Sequence, residues 1–336
     1  MSARDQARAL LNGRQVIFAL VKTKTADPDL AGLRQFVAWA ADQGATHIDI
    51  GTLPWRWSWF LPDNSDPYAT WCNQSPGLFR LCPPPALAPW IPAEEVAELQ
   101  RIMRERVELL REYGLKGVVN SIEPLWLPEG VYRAHPRWRG AQCELGRIAR
   151  RPYFTPNLDE PEVIALYREA MQQFATLLPE IDQFTFMTND SGGGIAWCPN
   201  LYPGMNGPPA TRTRDPGQRI AGWLKALQEG AKAAGNAIRI NLFSSGLPAE
   251  LVGSTRVKLP PGLFLNWGNE HGEAWGGAGA SLGADIWGAS YPALGLGDVG
   301  GFLRGLQSVY HNPQGDDHRA SISIHESCLP LAQTVM

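Results

Sequence analysis

What the 336-residue sequence lacks narrows the field first. It has no run of 18 uncharged apolar residues, and its first stretch, MSARDQARALLNGRQ, holds no apolar core of a signal peptide. The expectation is a soluble cytoplasmic protein. Cysteine is scarce and unpatterned: Cys72, Cys82, Cys143, Cys198 and Cys328 are an odd set with no CxxC pair and no metal-ligand spacing, so free thiols are expected. HxH and HExxH are both missing, and neither a metal nor an organic cofactor is expected. No charge dominates, with 30 Lys and Arg against 33 Asp and Glu and a net charge of -3. That balance gives no reason to expect nucleic acid or a membrane as partner. No internal repeat suggests a solenoid.

What is present is an ample apolar fraction, 44%, together with 35 Gly, 28 Pro and 13 Trp. The stretch 184–194, FTFMTNDSGGG, organises the rest. Apolar and β-favouring residues run into Asn189-Asp190-Ser191 and three glycines, the pattern of a buried strand ending at a polar turn. Strands buried on both faces belong to parallel α/β sheets, where functional groups collect at the carboxyl ends. The structural alternative is that Asp190 only bonds the amides of its own turn.

Taken in order, strands are expected at 15–21, 46–52, 116–122, in the run ending near 187, and at 238–244, 262–267, 285–290 and 320–324. Helical spacing falls between most of them. Asp27-Pro28 starts one helix and Gly44 ends it; residues 93–113 form a long one stopped by Gly114. Asp159-Glu160-Pro161-Glu162 reads as a capping box, and Asp215-Pro216 as a cap for the helix ending at Gly235. Eight strands with intervening helices make an α/β fold of the (β/α)8 TIM-barrel type, one domain over 1–336. Long rim loops are expected at 53–92 and 127–156. The link between the fifth and sixth strands shows no long helix and the chain stops soon after the eighth, so the barrel is read as irregular or incomplete at its carboxyl-terminal end, or the chain as a fragment.

One rim of such a barrel collects Asp49, Glu123, Asn189, Asp190, Asn269, Glu270, His271, Tyr291 and Glu326, with Trp55, Trp57, Trp267 and Trp287 close in sequence. His135 and Arg137 sit in the second loop, where arginines outnumber acids and could receive a carboxylate or sulfate. Flat rings stack on sugar faces, and two carboxyl groups, one protonated and one ionised, are what glycosidic cleavage needs. Two of these residues have structural alternatives: Asp49 as a buried partner for Lys22 or an arginine, and Glu123 as a residue that shapes its loop.

In the pattern of the whole chain the sequence resembles the catalytic barrels of glycoside hydrolases of the β-hexosaminidase and α-glucuronidase types. Those barrels tend to place the acid at the end of the fourth strand, often after Asn or Asp. The resemblance therefore implies Asp190 as proton donor and Asn189 as a group holding a sugar hydroxyl or acetamido. Hexosaminidases carry Asp-Glu there and this chain has Asn-Asp, which counts against cleavage assisted by an acetamido group. The α-glucuronidase likeness implies a base at Glu270, with Lys22, Lys24 and Arg137 available to a uronate; Glu326 is the rival for the second carboxylate. The expected substrate is a hexosaminide or a uronic-acid-containing saccharide. The alternatives are a non-catalytic carbohydrate-binding barrel and a metal-dependent sugar-processing barrel.

Overall fold

The apolar run ahead of Asn189 is a strand, and the alternation of strand and helix extends along the chain. The computed structural model describes residues 15–21, 30–42, 44–51, 77–143, 152–187, 194–198, 206–244, 249–267 and 319–325. The strands are β1 (Gln15–Val21), β2 (His47–Asp49), β3 (Lys116–Ile122), β4 (Arg139–Gln142), β5 (Phe154–Pro156), β6 (Ile181–Met187), β7 (Arg239–Ser244), β8 (Leu263–Trp267) and β9 (Arg319–His325). The α-helices are α1 (Leu30–Asp42), α2 (Leu78–Leu81), α3 (Ala93–Glu112), α4 (Glu129–Ala134), α5 (Pro161–Leu177), α6 (Pro216–Ala233) and α7 (Ala249–Arg256).

Two compact units divide the chain. The first comprises Met1–Pro54, Glu105–Val118 and Gly268–Met336, the second Trp55–Arg104 and Val119–Trp267. In the first, β1 pairs in parallel with β9 (Phe18 opposite Ile322) and with β2 (Phe18 opposite Ile48), and β2 pairs in parallel with the start of β3 (Ile48 opposite Gly117). In the second, β6 pairs in parallel with β7 (Phe184 opposite Ile240) and β7 with β8 (Leu242 opposite Leu265), and β3 lies on the other side of β6. The chain is thus an α/β protein with parallel strand pairing. Closure into a ring would need the expected strand at 285–290, which lies outside the described residues.

Helix ends follow the expected chemistry with one exception. Asp215 caps α6 by accepting the Gly217 N–H at 2.8 Å, with Pro216 in the first turn. Gly235 follows α6 at φ +76, and Gly114 ends α3 at φ +63. The capping box expected at Asp159 is not formed. Glu160 is the cap residue of α5 and makes no side-chain cap bond. The Asp159 carboxylate instead meets Arg219, because a buried cation needs a partner more than a helix end needs a cap worth about 1 kcal/mol.

The loop expected at 127–156 holds more structure than its sequence shows. It contains α4, a 3-10 turn at Pro136–Trp138 and the antiparallel pair β4 and β5. Gly140 permits that pairing, since a Cβ there would stand 2.7 Å from the carbonyl oxygens of Thr155 and Pro156. Within 77–92, part of the other expected loop, lie α2 and a second 3-10 turn, Ala88–Trp90. The link between β7 and β8 carries the eight-residue α7. Among the described residues no helix is long and apolar enough to cross a membrane.

The core of the second unit is aromatic. Phe184 on β6 meets Phe174 of α5 at 5.4 Å between ring centres, and Phe186 meets Trp223 of α6 at 5.0 Å. Tyr167 lies between Trp223 and Phe79, 5.4 and 4.4 Å away. The helices approach closely enough that a Cβ on Gly230 would stand 2.2 Å from the Arg168 carbonyl oxygen, whereas Gly222, in the same helix, has nothing within 4 Å. The two glycines should therefore respond with opposite signs to the same change. In urea unfolding, Gly230→Ala is expected to cost about 1–3 kcal/mol by overpacking, and Gly222→Ala to add about 0.5–1 kcal/mol of helix propensity. Equal effects from the two would contradict the packing of α5 on α6.

Candidate functional site

Parallel strands deliver their carboxyl ends to one edge of a sheet, and in open α/β sheets ligands gather there. Glu123 follows β3 directly. Asn189 and Asp190 come two and three residues after β6 ends at Met187. Asp49 ends β2, and Glu326 follows β9 directly. Asn189, Asp190, Asn269, Glu270, His271, Glu326, Trp55, Trp57, Trp287 and Tyr291 lie outside the described residues. Trp267 closes β8, where its backbone alone is described.

Glu123 is 1% exposed. One carboxylate oxygen accepts the Leu78 N–H at 2.6 Å and the other the Leu125 N–H at 3.2 Å, so the side chain ties the end of β3 to the start of α2. At Gly77 a Cβ would stand 2.7 Å from Leu125 Cδ2, so a side chain there would displace the end of Leu125. Burial pushes the Glu123 carboxyl up to about 7, against the two amides and the Ser121 hydroxyl, which favour its charged form. The same burial drives the neighbouring Tyr167 hydroxyl well above its ordinary range, and the charge of Glu123 adds to that shift.

His135 and Arg137 belong to a separate cluster. The His135 ring stacks on Trp138 at 3.9 Å and meets the edge of Trp90 at 5.9 Å. Trp138 donates its indole N–H to Glu162 at 2.7 Å. Arg137 pairs with Glu160 at 2.7 Å while 79% of its side chain is exposed, and Arg139 pairs with Glu129. Two members of the expected basic surface are thus matched by acids, and exposed pairs of this kind contribute about 0–1 kcal/mol each.

In the first unit, Asp49 is 9% exposed and accepts the Gly51 N–H at 2.8 Å. Arg106, equally buried, donates to the Ile50 carbonyl at 2.5 Å. Burial lowers the Arg106 guanidinium to about 10, and the charge of Asp49 works against that fall. The Asp49 carboxylate thus holds the Gly51 amide and lies near enough to Arg106 for its charge to favour the guanidinium's charged form.

Sequence reasoning passed over the residues that hold the chain after Gly192 and Gly193. The Thr155 hydroxyl donates to the Gly194 carbonyl at 2.6 Å. Arg219, whose side chain is 0% exposed, donates to Ala196 O at 2.7 Å, to Thr211 O at 3.2 Å and to Asp159 Oδ2 at 2.9 Å. Arg214 donates to the Asp159 carbonyl at 2.8 Å. Nothing in the spacing of Gln218-Arg219-Ile220 signals a buried cation; the signal was the Asp159 carboxylate, read as a cap. Cys82, Cys143 and Cys198 are buried free thiols, and burial pushes Cys198 up to about 12. Among the described residues no three His, Cys, Asp or Glu side chains are grouped to hold a metal ion.

No family model and no curated protein matches the chain. Among solved structures it is similar to an α-galactosidase from Lactobacillus brevis, at 12% identity and a TM-score of 0.47 over 99% of this chain and 43% of that one. It is similar to Dispersin B at 8% identity and a TM-score of 0.47, over 96% of this chain and 97% of that one. It is also similar to the catalytic modules of a pneumococcal exo-β-D-N-acetylglucosaminidase, at 11% identity and a TM-score of 0.43 over 77% of this chain. The chain spans 60% of the length of that last structure.

The buried carboxyl gives a pH signature. Glu123 has a folded pKa of about 7 against an ordinary 4.5, so the folded state binds this proton more tightly than the unfolded one. Its contribution to stability is full below the ordinary value and is lost as pH rises through the folded value, roughly 3 kcal/mol in all. Between about pH 5 and pH 8 the wild type is expected to lose roughly 2–3 kcal/mol more stability in urea than Glu123→Gln. Parallel pH profiles for the two proteins would refute the burial of an ionisable Glu123.

Proposed function

We propose that the chain is a glycosidase that cleaves a glycosidic bond with two carboxyl groups, one of them Asp190. The observation that carries the reading is the course of β6. Its side chains Phe184 and Phe186 are packed in the core, its parallel partner is β7, and it ends two residues before Asn189-Asp190. A carboxylic acid at the carboxyl edge of a parallel sheet is where α/β enzymes keep their reacting groups.

In this reading Asp190 protonates the leaving oxygen and Asn189 holds a hydroxyl or acetamido of the sugar. Glu270 or Glu326 is the ionised partner facing the cation-like carbon. Trp55, Trp57, Trp267, Trp287 and Tyr291 provide faces and edges for sugar rings, and Asn269 and His271 provide hydrogen bonds to hydroxyls. The same proposal takes the strands as one closed (β/α)8 ring over 1–336. The substrate is a hexosaminide or a saccharide containing a uronic acid.

The test is a panel of aryl glycosides and uronides turned over by the wild type and by Asp190→Asn. The variant is expected to lose at least about a hundredfold in kcat/KM with basic leaving groups, and clearly less with acidic phenols that depart without a proton. The same rate for both proteins across the panel would remove Asp190 from the mechanism. Glu270→Gln and Glu326→Gln then identify the partner: the variant that loses activity with every leaving group is the second carboxylate.

A further inference from the structure

Apart from the strand-end carboxylates, one group of side chains in the second unit is arranged for contact with something the fold does not supply. Trp197 has φ +59 and is the single non-glycine residue at positive φ among the described residues. For an aromatic residue such a conformation costs on the order of 1–3 kcal/mol and persists only where the surroundings impose it. Here they do. The Trp197 N–H donates to Asn206 O at 2.7 Å. Its indole N–H donates to Pro208 O at 3.0 Å and lies 3.3 Å from the Thr211 hydroxyl oxygen. The carbonyl of the preceding Ala196 is held by the buried Arg219. Gly207 completes the fit, since a Cβ there would stand 2.8 Å from Ala196 Cβ and 2.9 Å from Trp197 Nε1.

A ring locked in this way would be unremarkable in the core. Trp197 is instead half-buried, and the exposed Arg212 places its guanidinium over the indole, 5.6 Å from the ring centre. The neighbouring cations are matched: Arg219 pairs with Asp159, Arg214 bonds the Asp159 carbonyl, and Lys258 pairs with Asp215. Among the described residues no carboxylate pairs with Arg212. A guanidinium seated over a fixed aromatic ring and matched by no carboxylate suits an anionic group at its outer edge.

We infer that Trp197 and Arg212 form a subsite for an anionic sugar residue, carboxylated or sulfated. The indole seats the guanidinium and Arg212 selects the negative charge. That the ligand is a sugar rests on the proposed glycosidase reading; the preference for an anion rests on Arg212. Trp197 lies seven residues after Asp190, so the subsite belongs to the same stretch of chain that follows β6.

The experiment uses the full chain and methyl thioglycosides of glucuronate, glucose 6-sulfate and glucose, whose sulfur linkage resists hydrolysis. Binding is followed by NMR on the Trp197 indole N–H, assigned by its loss in Trp197→Gly. Glycine adopts positive φ without strain, so that variant keeps the backbone of the loop. Both anionic probes, or one of them, should move the Trp197 resonance and bind at least about tenfold more tightly than the glucose probe. Which anion binds distinguishes a uronate from a sulfated sugar. Arg212→Gln should bring all three probes to the same affinity, and Trp197→Gly, which removes the seat of the guanidinium, should weaken both anions. An indole resonance unmoved by either anion, or an anion preference that survives Arg212→Gln, overturns the subsite. No turnover is involved, so anion binding in a chain whose hydrolysis is indifferent to Asp190→Asn would keep the subsite and sink the glycosidase reading.

Discussion

A guanidinium removed from water must have its donors met from within, and Arg219 is such a group. It answers that requirement with the Asp159 carboxylate and the carbonyls of Ala196 and Thr211. Three stretches distant in sequence converge on one residue of α6: the turn before α5, the chain after Gly193, and the turn before α6 itself. Asp159, one residue ahead of the Glu160 cap position of α5, is committed to the arginine and takes no part in capping that helix. The fixed backbone around Trp197, whose conformation needs support on both sides, follows from this convergence.

The aromatic core sets a second constraint. Phe174, Phe184, Phe186 and Trp223 fill the space between β6 and its helices, a packing that leaves the Trp223 indole N–H and the Tyr167 hydroxyl buried without a hydrogen-bond partner. The two described carboxylates at strand ends are each held by the chain around them. Asp49 accepts the amide of Gly51 and its charge acts on Arg106, and Glu123 accepts the amides of Leu78 and Leu125. Both carboxylates hold chain segments in place within their own units. The glycosidase reading accordingly leans on Asp190, Glu270 and Glu326 for the chemistry.

Legibility followed length and period. The helices α1, α3, α5 and α6 carry apolar residues at helical spacing over 13 to 20 residues and were readable within two or three residues at their ends. The strands β1, β3, β7 and β9 were readable to within one residue at their ends, each carrying a core of β-branched or other apolar residues. The pair β4 and β5 was not, because strands of four and three residues leave too few positions to show a period of two. Near the strand ends, the place of Asp49 inside a strand suggested a cation close by, Lys22 or an arginine, and the charge of Asp49 acts on Arg106. The amide of Leu78 that meets Glu123 could not be anticipated, since it lies 45 residues away and belongs to a helix of four residues. Trp197 carried no signal at all: positive φ is announced by glycine, and a tryptophan there is imposed by its neighbours.

By itself the sequence determined the alternation of strand and helix, the caps and stops of α3 and α6, and the acidic residues that follow several strands. Each of these is local, fixed by side-chain period or by turn chemistry within a few positions. Tertiary structure alone decided that Arg219 is buried, that Asp159 serves it, that Glu123 clasps Leu78, and that Trp197 is held under Arg212. Those outcomes depend on which distant atoms lie within about 3 to 6 Å, and on water being excluded between them, which no spacing along a chain encodes.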